Sequence, residues 1–306
     1  MPKEVRFTKM HGLGNDFVLL DGLANPVEHL DAAALAVEVC DRHFGIGADG
    51  LLMLLPTEEG RDADVRMRIF NPDGSEAESC GNGIRCLGRY FHDRHNPEAP
   101  EIRVQTEAGP ATVWVHQDGT VTVDMGAPIF DPERIPVDLR GADAMDVTLS
   151  VPSRQAIRAS CVSMGNPHAV TFVARGQLEA YPLDVVGPEV EHLNRFPHRT
   201  NFEICEVIDE QRLRVRVWER GAGLTLACGT GACASVVVAQ RRGLVSGPVA
   251  VELPGGELRI EWDGVGSVLM TGPADYVFTG GYSPRTEAAP ASIRHEPQLA
   301  PAVAPA

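Results

Sequence analysis

Lysine is nearly missing from this 306-residue chain, which has only Lys3 and Lys9. Enzymes that use pyridoxal phosphate bind it to a lysine, so this scarcity argues against that class. Long apolar runs are missing too, since the run Leu51–Leu55 is far shorter than the roughly 20 residues of a membrane-spanning helix. The first residues lack a basic region followed by an apolar core, so we expect no signal peptide and a cytoplasmic protein.

Positive charge is also scarce. The chain has 27 Lys and Arg against 42 Asp and Glu, a formal net charge of -15. Nucleic acids and anionic membranes attract basic surfaces, so we predict neither as a partner. The chain is 43% hydrophobic and 23% charged, a balance typical of globular proteins, and its length indicates about two domains.

Metal-binding spacings are missing as well. The chain has no Cys-x-x-Cys and no His-x-x-x-His motif, so we predict no metal site. Seven cysteines, an odd number, occur without a secretory signal. We therefore expect reduced thiols that are available for chemistry rather than a disulfide framework.

Short segments that alternate apolar and polar residues are typical of half-buried strands. They are Val65–Phe70, Ala111–His116, Thr120–Met125, Leu213–Trp218, Glu257–Trp262 and Ser267–Thr271. Tight turns separate the second from the third and the fifth from the sixth, which predicts two hairpins. Helices are fewer: Asp31–His43, with Asp31 as N-cap, Ile84–His92 and Ala232–Arg242. This mixture predicts the α+β class.

Two proline-rich regions stand outside this pattern. Residues 126–160 contain several prolines and are predicted to be a linker between two halves. Residues 284–306 are rich in Ala and Pro and have few large apolar residues, so we predict a disordered tail.

One element occurs twice. Cys80-Gly81-Asn82-Gly83 and Cys228-Gly229-Thr230-Gly231 each lead into a predicted helix, one in each half, as two pseudo-symmetric domains would require. Glycines allow a tight turn and close approach of a ligand to the backbone. The free N–H groups of the following helix can bind a carboxylate and favour a thiolate. Each copy therefore predicts an anion cradle and a thiol prone to ionise.

Two such copies face to face would place one thiol on each side of the carbon next to a bound carboxylate. One thiolate could remove a proton from one face while the other thiol delivers a proton to the opposite face. The pattern thus predicts a racemase or epimerase that needs no cofactor. The other cysteines are expected in the core: Cys40, Cys86, Cys161, Cys205 and Cys233.

With these residues in view, the chain resembles the diaminopimelate epimerase family over nearly its whole length except the tail. The motifs that carry the resemblance are Met10-His11-Gly12-Leu13-Gly14-Asn15-Asp16-Phe17, Gly45-Ile46-Gly47-Ala48-Asp49, Phe70-Asn71-Pro72-Asp73-Gly74-Ser75, Met164-Gly165-Asn166-Pro167-His168, Thr200-Asn201-Phe202, Trp218-Glu219-Arg220-Gly221 and the two cysteine segments. The resemblance implies two pseudo-symmetric domains, each a curved, mostly antiparallel sheet around a central helix, with the active site in the cleft between them.

The domains are expected at residues 1–125, with 268–283 returning to the first, and at 126–267. The implied reaction interconverts LL- and meso-diaminopimelate without a cofactor, in a homodimer. Cys80 and Cys228 match the two catalytic thiols, and His168 and Glu219 match residues that tune them. The substrate-binding positions implied by the resemblance are Asn15, Asn71, Gly81, Asn82, Gly83, Asn166, Asn201, Glu219, Arg220, Gly229 and Thr230.

Gly50 departs from the family pattern, because many members have glutamine there, in contact with the substrate. The sequence therefore leaves open what replaces that contact. It also leaves open which thiol acts on which isomer.

Other functions remain to be weighed. A proline or hydroxyproline racemase of the same fold would have histidine in place of Asn82 and Ser-Pro before the second cysteine, where this chain has Leu226-Ala227. A phenazine-biosynthesis-like isomerase would lack the cysteine pair. A thiol redox module and a non-catalytic amino-acid-binding protein are the alternatives from other classes.

Overall fold

The computed structural model describes residues 4–27, 29–78, 80–139, 141, 143–154 and 156–284. Its helices are α1 (Ala32–Cys40), α2 (Gly81–Arg94), α3 (Leu183–Glu191) and α4 (Gly229–Arg241). Its strands are β1 (Val5–Gly12), β2 (Asn15–Asp21), β3 (Gly50–Leu55), β4 (Val65–Phe70), β5 (Glu76–Ala77), β6 (Ile102–Thr106), β7 (Gly109–Val115), β8 (Val121–Asp124), β9 (Val147–Leu149), β10 (Ile157–Ser163), β11 (Pro167–Val173), β12 (Asn201–Asp209), β13 (Arg212–Glu219), β14 (Gly223–Leu224), β15 (Val249–Leu253), β16 (Gly256–Glu261), β17 (Leu269–Gly272) and β18 (Asp275–Tyr282).

The strand ladders repeat the same order in the two halves. In the first half, β1 is antiparallel to β2, β2 is parallel to β3 and β3 is antiparallel to β4. Strand β4 then pairs with β5 on one part of its length and runs parallel to β6 on another. Strands β10 to β15 repeat these five ladders with the same directions. The predicted α+β fold built from two similar halves is confirmed.

The helices occupy equivalent places in this repeat. Helices α1 and α3 fill the crossovers from β2 to β3 and from β11 to β12, and α2 and α4 follow β5 and β14. The last strands of the two halves, β8 and β17, are antiparallel neighbours that join the halves. After β17 the chain returns to the first half, where β18 pairs with β1. The domain boundaries, including the return of residues 268–283 to the first domain, stay a prediction.

The prediction for the first helix needs correction at its C-terminal end. Asp31 caps α1 by accepting a hydrogen bond from the N–H of Ala34 (3.1 Å), as predicted, but α1 ends at Cys40 instead of His43. The side chain of Asp41 accepts the N–H groups of His43 and the next residue, and these turn bonds compete with the helix.

Helix α3 was not predicted, because it contains Gly187 and Pro188 in its interior. Proline and glycine are poor residues for a helix interior. Here tertiary packing decides, since a Cβ at Gly187 would lie 2.5 Å from the indole of Trp218. The glycine therefore allows α3 to pack against β13.

The predicted linker is wrong for much of residues 126–160. Ile135, Val137, Val147 and Leu149 are buried in one apolar cluster with α3 and the strands beside it. Prolines interrupt regular hydrogen bonding in this segment, but the apolar residues between them still pack. The predicted disordered tail lies outside the described residues from residue 285 onward.

The apolar run Leu51–Leu55 forms β3, which is covered on both faces. Leu52 and Leu54 pack in the cluster around α2, whereas Leu51 and Met53 pack in the cluster around α1. A strand covered on both faces needs a continuous apolar run rather than alternation. No helix in the described part of the chain is long and apolar enough to cross a membrane.

Candidate active site

The two predicted thiols stand at equivalent helix starts. Cys80 and Cys228 are the N-cap residues of α2 and α4, and both have extended backbone angles. The helices thus begin three residues before the predicted starts, and the glycines form their first turns. The N–H groups of a first turn have no partner within the helix, so they are free to bind an anion.

The two helix starts meet across Asn82 and Met270. The Asn82 amide donates to Oδ1 of Asn15 (3.0 Å) in the first half and to the carbonyl of Ala227 (3.2 Å), which precedes Cys228, in the second. A Cβ added to the first residue of α2 would lie 3.0 Å from Cε of Met270, and one added to the first residue of α4 would lie 2.9 Å from its Sδ. Only glycine therefore fits at both starts without displacing this methionine.

Around Cys80, Asn15 is held by charged groups. Its Oδ1 lies 3.8 Å from Sγ of Cys80, and its amide donates to Asp49 (3.0 Å). Arg42 joins Asp49 to Asp16, with N···O distances of 2.7 Å to each. Burial alone would raise the pKa of Asp16, but hydrogen bonds from Arg42 and Lys9 lower it to about 2. Asp49 thus orients the Asn15 amide, and Arg42 holds Asp49 beside Asp16.

Around Cys228, a chain of hydrogen bonds leads to a buried acid. Thr230 Oγ1 lies 3.6 Å from the sulfur and accepts from the Asn166 amide (3.4 Å). The Nε2 of His168 lies 2.8 Å from Oδ1 of Asn166, and its Nδ1 lies 2.7 Å from Oε1 of Glu203. His168 and Glu203 are fully buried. Both ring nitrogens of His168 are engaged, so it reaches Cys228 through neighbours rather than directly.

Glu219 contacts the same thiol. Its carboxylate accepts a hydrogen bond from Thr225, and its charge raises the pKa of Cys228. Burial raises the pKa of Glu219, and its interactions with Thr225, Cys228 and His168 oppose the shift. Glu219 is therefore placed to take a proton from Cys228 or to hold one on it.

Burial raises the pKa of both thiols. For Cys80, the N–H groups of Gly83 and Asn82 oppose the rise. For Cys228, the charges of Glu219 and Glu203 add to the burial, and the pKa lies well above its ordinary value. The expectation of easily ionised thiols is therefore wrong: the helix N-termini lower the pKa, but desolvation outweighs them.

Three other predicted substrate-binding residues, Asn201, Arg220 and Asn71, make hydrogen bonds away from the two thiols. Asn201 is buried, where its amide donates to the carbonyl of Pro167 (2.9 Å) and its oxygen accepts the N–H of Arg220 (2.9 Å). The exposed Arg220 side chain donates to the carbonyl of His198 (3.2 Å). Asn71 closes its own turn by donating to Ser75 Oγ (2.9 Å). These contacts tie the three residues to neighbouring backbone and turns rather than to either thiol.

Sequence reasoning missed Glu203. The signal was available, because residues two apart on a strand share a face. Asn201 begins β12 as a predicted site residue, so Glu203 points the same way. An added Cβ at Gly231 would lie 3.0 Å from Oε1 of Glu203 and 3.3 Å from Sγ of Cys228, which places the acid directly beneath the start of α4.

The structure also accounts for Gly50. An added Cβ there would lie 3.1 Å from the carbonyl of Phe70 and 3.4 Å from the ring of Phe17. A side chain would require the Phe70 carbonyl to give by a few tenths of an ångström, so the buried glycine suits this local packing.

Comparison with known proteins decides among the alternatives. The family model for diaminopimelate epimerase matches residues 7–130 and 160–277. The chain belongs to the diaminopimelate epimerase family. It is 49% identical over 280 residues to diaminopimelate epimerase 1 of a Nostoc species. The aligned region covers 90% of this chain and 99% of the relative. It is 48% identical over 283 residues to the diaminopimelate epimerase of Moorella thermoacetica, which covers 91% and 99%.

Solved structures of more distant proteins share the fold. A hydroxyproline epimerase from Agrobacterium vitis superposes with a TM-score of 0.65 at 17% identity and covers 91% of each chain. A phenazine biosynthesis protein of the PhzF family from Bacillus anthracis gives a TM-score of 0.64 at 18% identity and covers 92% of this chain and 99% of its own. At such identities these likenesses concern the fold alone.

Proposed function

We propose that this chain is an amino-acid epimerase that interconverts LL- and meso-diaminopimelate without a cofactor, for lysine and peptidoglycan precursor synthesis. Family membership over most of the chain supports this substrate. The observation that carries the mechanism is the pair of cysteines at two facing helix starts, joined through Asn82.

The reaction follows from two thiols of opposite protonation. The thiolate of one cysteine removes the α-proton, so that the C–H bond breaks, an S–H bond forms and the electron pair spreads into the carboxylate. The thiol of the other cysteine then protonates the opposite face and becomes the thiolate. A thiolate of raised pKa is scarce but strongly basic, which favours attack on so weak an acid. The N–H groups of α2 and α4 stabilise the carboxylate charge.

The other predicted residues take supporting roles in this proposal. The side chains of Asn15, Asn166 and Thr230 and the backbone N–H of Asn82 bind the reacting amino-acid end beside the helix starts. The side chains of Asn71, Arg220 and Glu219 bind charged or polar groups of the substrate, and Asn201 orients the Arg220 backbone. His168 and Glu219 tune the thiols, His168 through Glu203 and Asn166.

The assembly and location remain proposals as well. We infer a homodimer, as the family resemblance implies, and a cytoplasmic location; we expect no nucleic-acid partner because of the net charge of -15. Light scattering of the purified protein checks the dimer, and a monomer at working concentration contradicts it.

Proton NMR in heavy water tests the function. We expect the α-proton signal of LL-diaminopimelate to disappear without added cofactor, and to persist in Cys80→Ala and Cys228→Ala. L-proline serves as the parallel substrate. Exchange with proline instead would favour the proline racemase alternative, and exchange with neither would reject the epimerase assignment.

A further inference from the structure

Arg85 is a fully buried cation at the centre of the molecule. It lies one turn after Asn82 on α2, and its guanidinium donates to the carbonyl of Pro273 (3.2 Å), to Sδ of Met270 (3.7 Å) and to Oδ1 of Asn82 (2.9 Å). All three acceptors are neutral. No carboxylate of the described residues lies within ion-pair distance of it. A buried charge is costly without compensation, so this arrangement calls for a functional reason.

Arg85 decides which way the Asn82 amide points. A guanidinium only donates hydrogen bonds, so the oxygen of Asn82 must face it. The NH₂ group of Asn82 is thereby turned toward Oδ1 of Asn15, which lies near Cys80, and toward the carbonyl of Ala227. One guanidinium thus sets the orientation of the Asn82 amide, which bridges the residues around Cys80 and those around Cys228.

The surroundings hold the guanidinium closely. An added Cβ at Gly12 would lie 2.8 Å from Nη2 of Arg85, so the first strand leaves room for this group and no more. The titratable groups that feel its charge are thiols: Cys80 and Cys86 on α2, and Cys233 on α4. Of these, Cys80 stands at the start of α2, so the charge of Arg85 reaches one of the two predicted catalytic thiols.

We propose that Arg85 is a positioning residue of the reaction, which fixes Asn82 between the two thiol-bearing helices and supplies a fixed positive charge behind the carboxylate cradle. This inference rests on the proposed function. When the α-proton leaves, negative charge grows on the substrate carboxylate. A fixed charge in a water-poor interior stabilises that change more than it stabilises the bound ground state.

Three variants test the proposal by steady-state kinetics. In Arg85→Met we expect kcat to fall about 100-fold, the loss typical of one preorganised donor, with KM changed only a few-fold. Arg85→Lys keeps the charge and should recover roughly tenfold of that loss. The matched control is Arg89→Met, one turn further along α2, where the guanidinium donates to the carbonyls of Gly119 (3.1 Å) and Ala274 (2.7 Å). The control should lose thermal stability but keep kcat within about twofold.

A double-mutant cycle tests whether Arg85 acts through Asn82. If it does, the combined variant loses less kcat than the product of the two single losses, and the further loss caused by Arg85→Met in Asn82→Ala reports the charge; fully additive losses overturn the bridge. Wild-type kcat in Arg85→Met, or an equal loss in Arg89→Met, overturns the proposal as a whole.

Alkylation of Cys80 by iodoacetamide gives a readout that needs no substrate. Near neutral pH we expect labelling about tenfold slower in Arg85→Met, because the thiolate fraction falls with the lost charge, and an unchanged rate overturns the charge role. Should Arg85→Met not fold, Arg85→Lys carries the test: wild-type labelling with lowered kcat supports the proposal, and wild-type kcat overturns it. A wild-type protein that exchanges no diaminopimelate refutes the proposed function, while the labelling still decides the role of Arg85.

Discussion

The two halves of the site, one around Cys80 and one around Cys228, occupy equivalent places in the fold. The residues that pack beneath their helix starts differ. Leu52 is the third residue of β3, and Glu203 is the third residue of β12. An added Cβ at Gly83 would meet Leu52 at 3.1 Å, and one at Gly231 would meet Glu203 at 3.0 Å. The helix of the first half thus rests on a leucine, and the helix of the second half rests on a carboxyl group.

The neighbouring strand shows the same contrast. The ladders place Phe17 opposite Gly50 in the first half and His168 opposite Asn201 in the second. The first half-site is therefore apolar beneath Cys80, whereas the second carries a buried acid and a histidine beneath its thiol. Both halves thus keep the helix start that can bind an anion. The residues packed beneath that helix start differ, and they determine how each thiol takes part in proton transfer.

The largest expected effect comes from removing the acid beside Cys228. In Glu219→Gln, we expect the epimerisation rate to fall about 100- to 1000-fold, because the group that exchanges protons with the thiol is lost. The rate is measured from LL- and from meso-diaminopimelate. Glu257→Gln, at an exposed position of β16, is the control and should keep wild-type activity. A loss smaller than roughly fivefold would mean that Glu219 does not take part in proton transfer.

A double variant gives the second half the residues that lie beneath the helix start in the first half. His168→Phe with Glu203→Leu replaces a buried polar pair by the residues found in the first half, so we expect unchanged or higher stability toward urea. Activity should fall roughly tenfold or more, because Cys228 loses its hydrogen-bond chain.

The single variants are the control for this exchange. Glu203→Leu alone leaves Nδ1 of the buried His168 without a partner and should cost about 1–3 kcal/mol of stability. A double variant that is less stable than Glu203→Leu alone, or as active as wild type, would contradict the prediction that the buried His168–Glu203 pair serves activity and not stability.

An effect confined to alkaline pH, and absent near neutral pH, should be shared by both halves. Burial raises the pKa of Cys86 in the first half and of Cys161 in the second from 9.0 to about 12. Above about pH 9 the unfolded chain loses these thiol protons while the folded chain keeps them. Folding therefore takes up protons there, and stability that is fully present below pH 9 is lost as pH rises toward 12.

Urea unfolding at several alkaline pH values measures this loss. Each buried thiol contributes at most about 1.4 kcal/mol per pH unit, so Cys86→Ala and Cys161→Ala should flatten the dependence to a similar extent. A dependence that stays as steep in both variants would show that other groups cause it.

Sequence reasoning performed best where local pattern suffices. The alternating segments became strands, the predicted hairpins formed, and Asp31 caps its helix. It performed worst where packing overrides local preference, as in α3 with its glycine and proline. Comparison of the halves would have helped, because α3 fills the same crossover as α1.

The ionisation of the thiols shows a different limit. The helix starts at Cys80 and Cys228 could be inferred from the glycines that follow, and so could their tendency to lower a thiol pKa. How deeply each sulfur is buried, and which acids lie beneath it, depends on distant strands. The sign of the net shift therefore could not be derived from the local motif.

The sequence by itself determined the α+β class, the duplicated cysteine element and the family, because these reside in residue patterns and motifs along the chain. The tertiary structure alone decided that Asn82 joins the two halves and that Leu52 packs beneath one helix start while Glu203 packs beneath the other. It also decided that Arg85 lies buried with no carboxylate of the described residues within ion-pair distance. These contacts join residues far apart in sequence, and their energies depend on desolvation, which exists only once the strands and helices have packed.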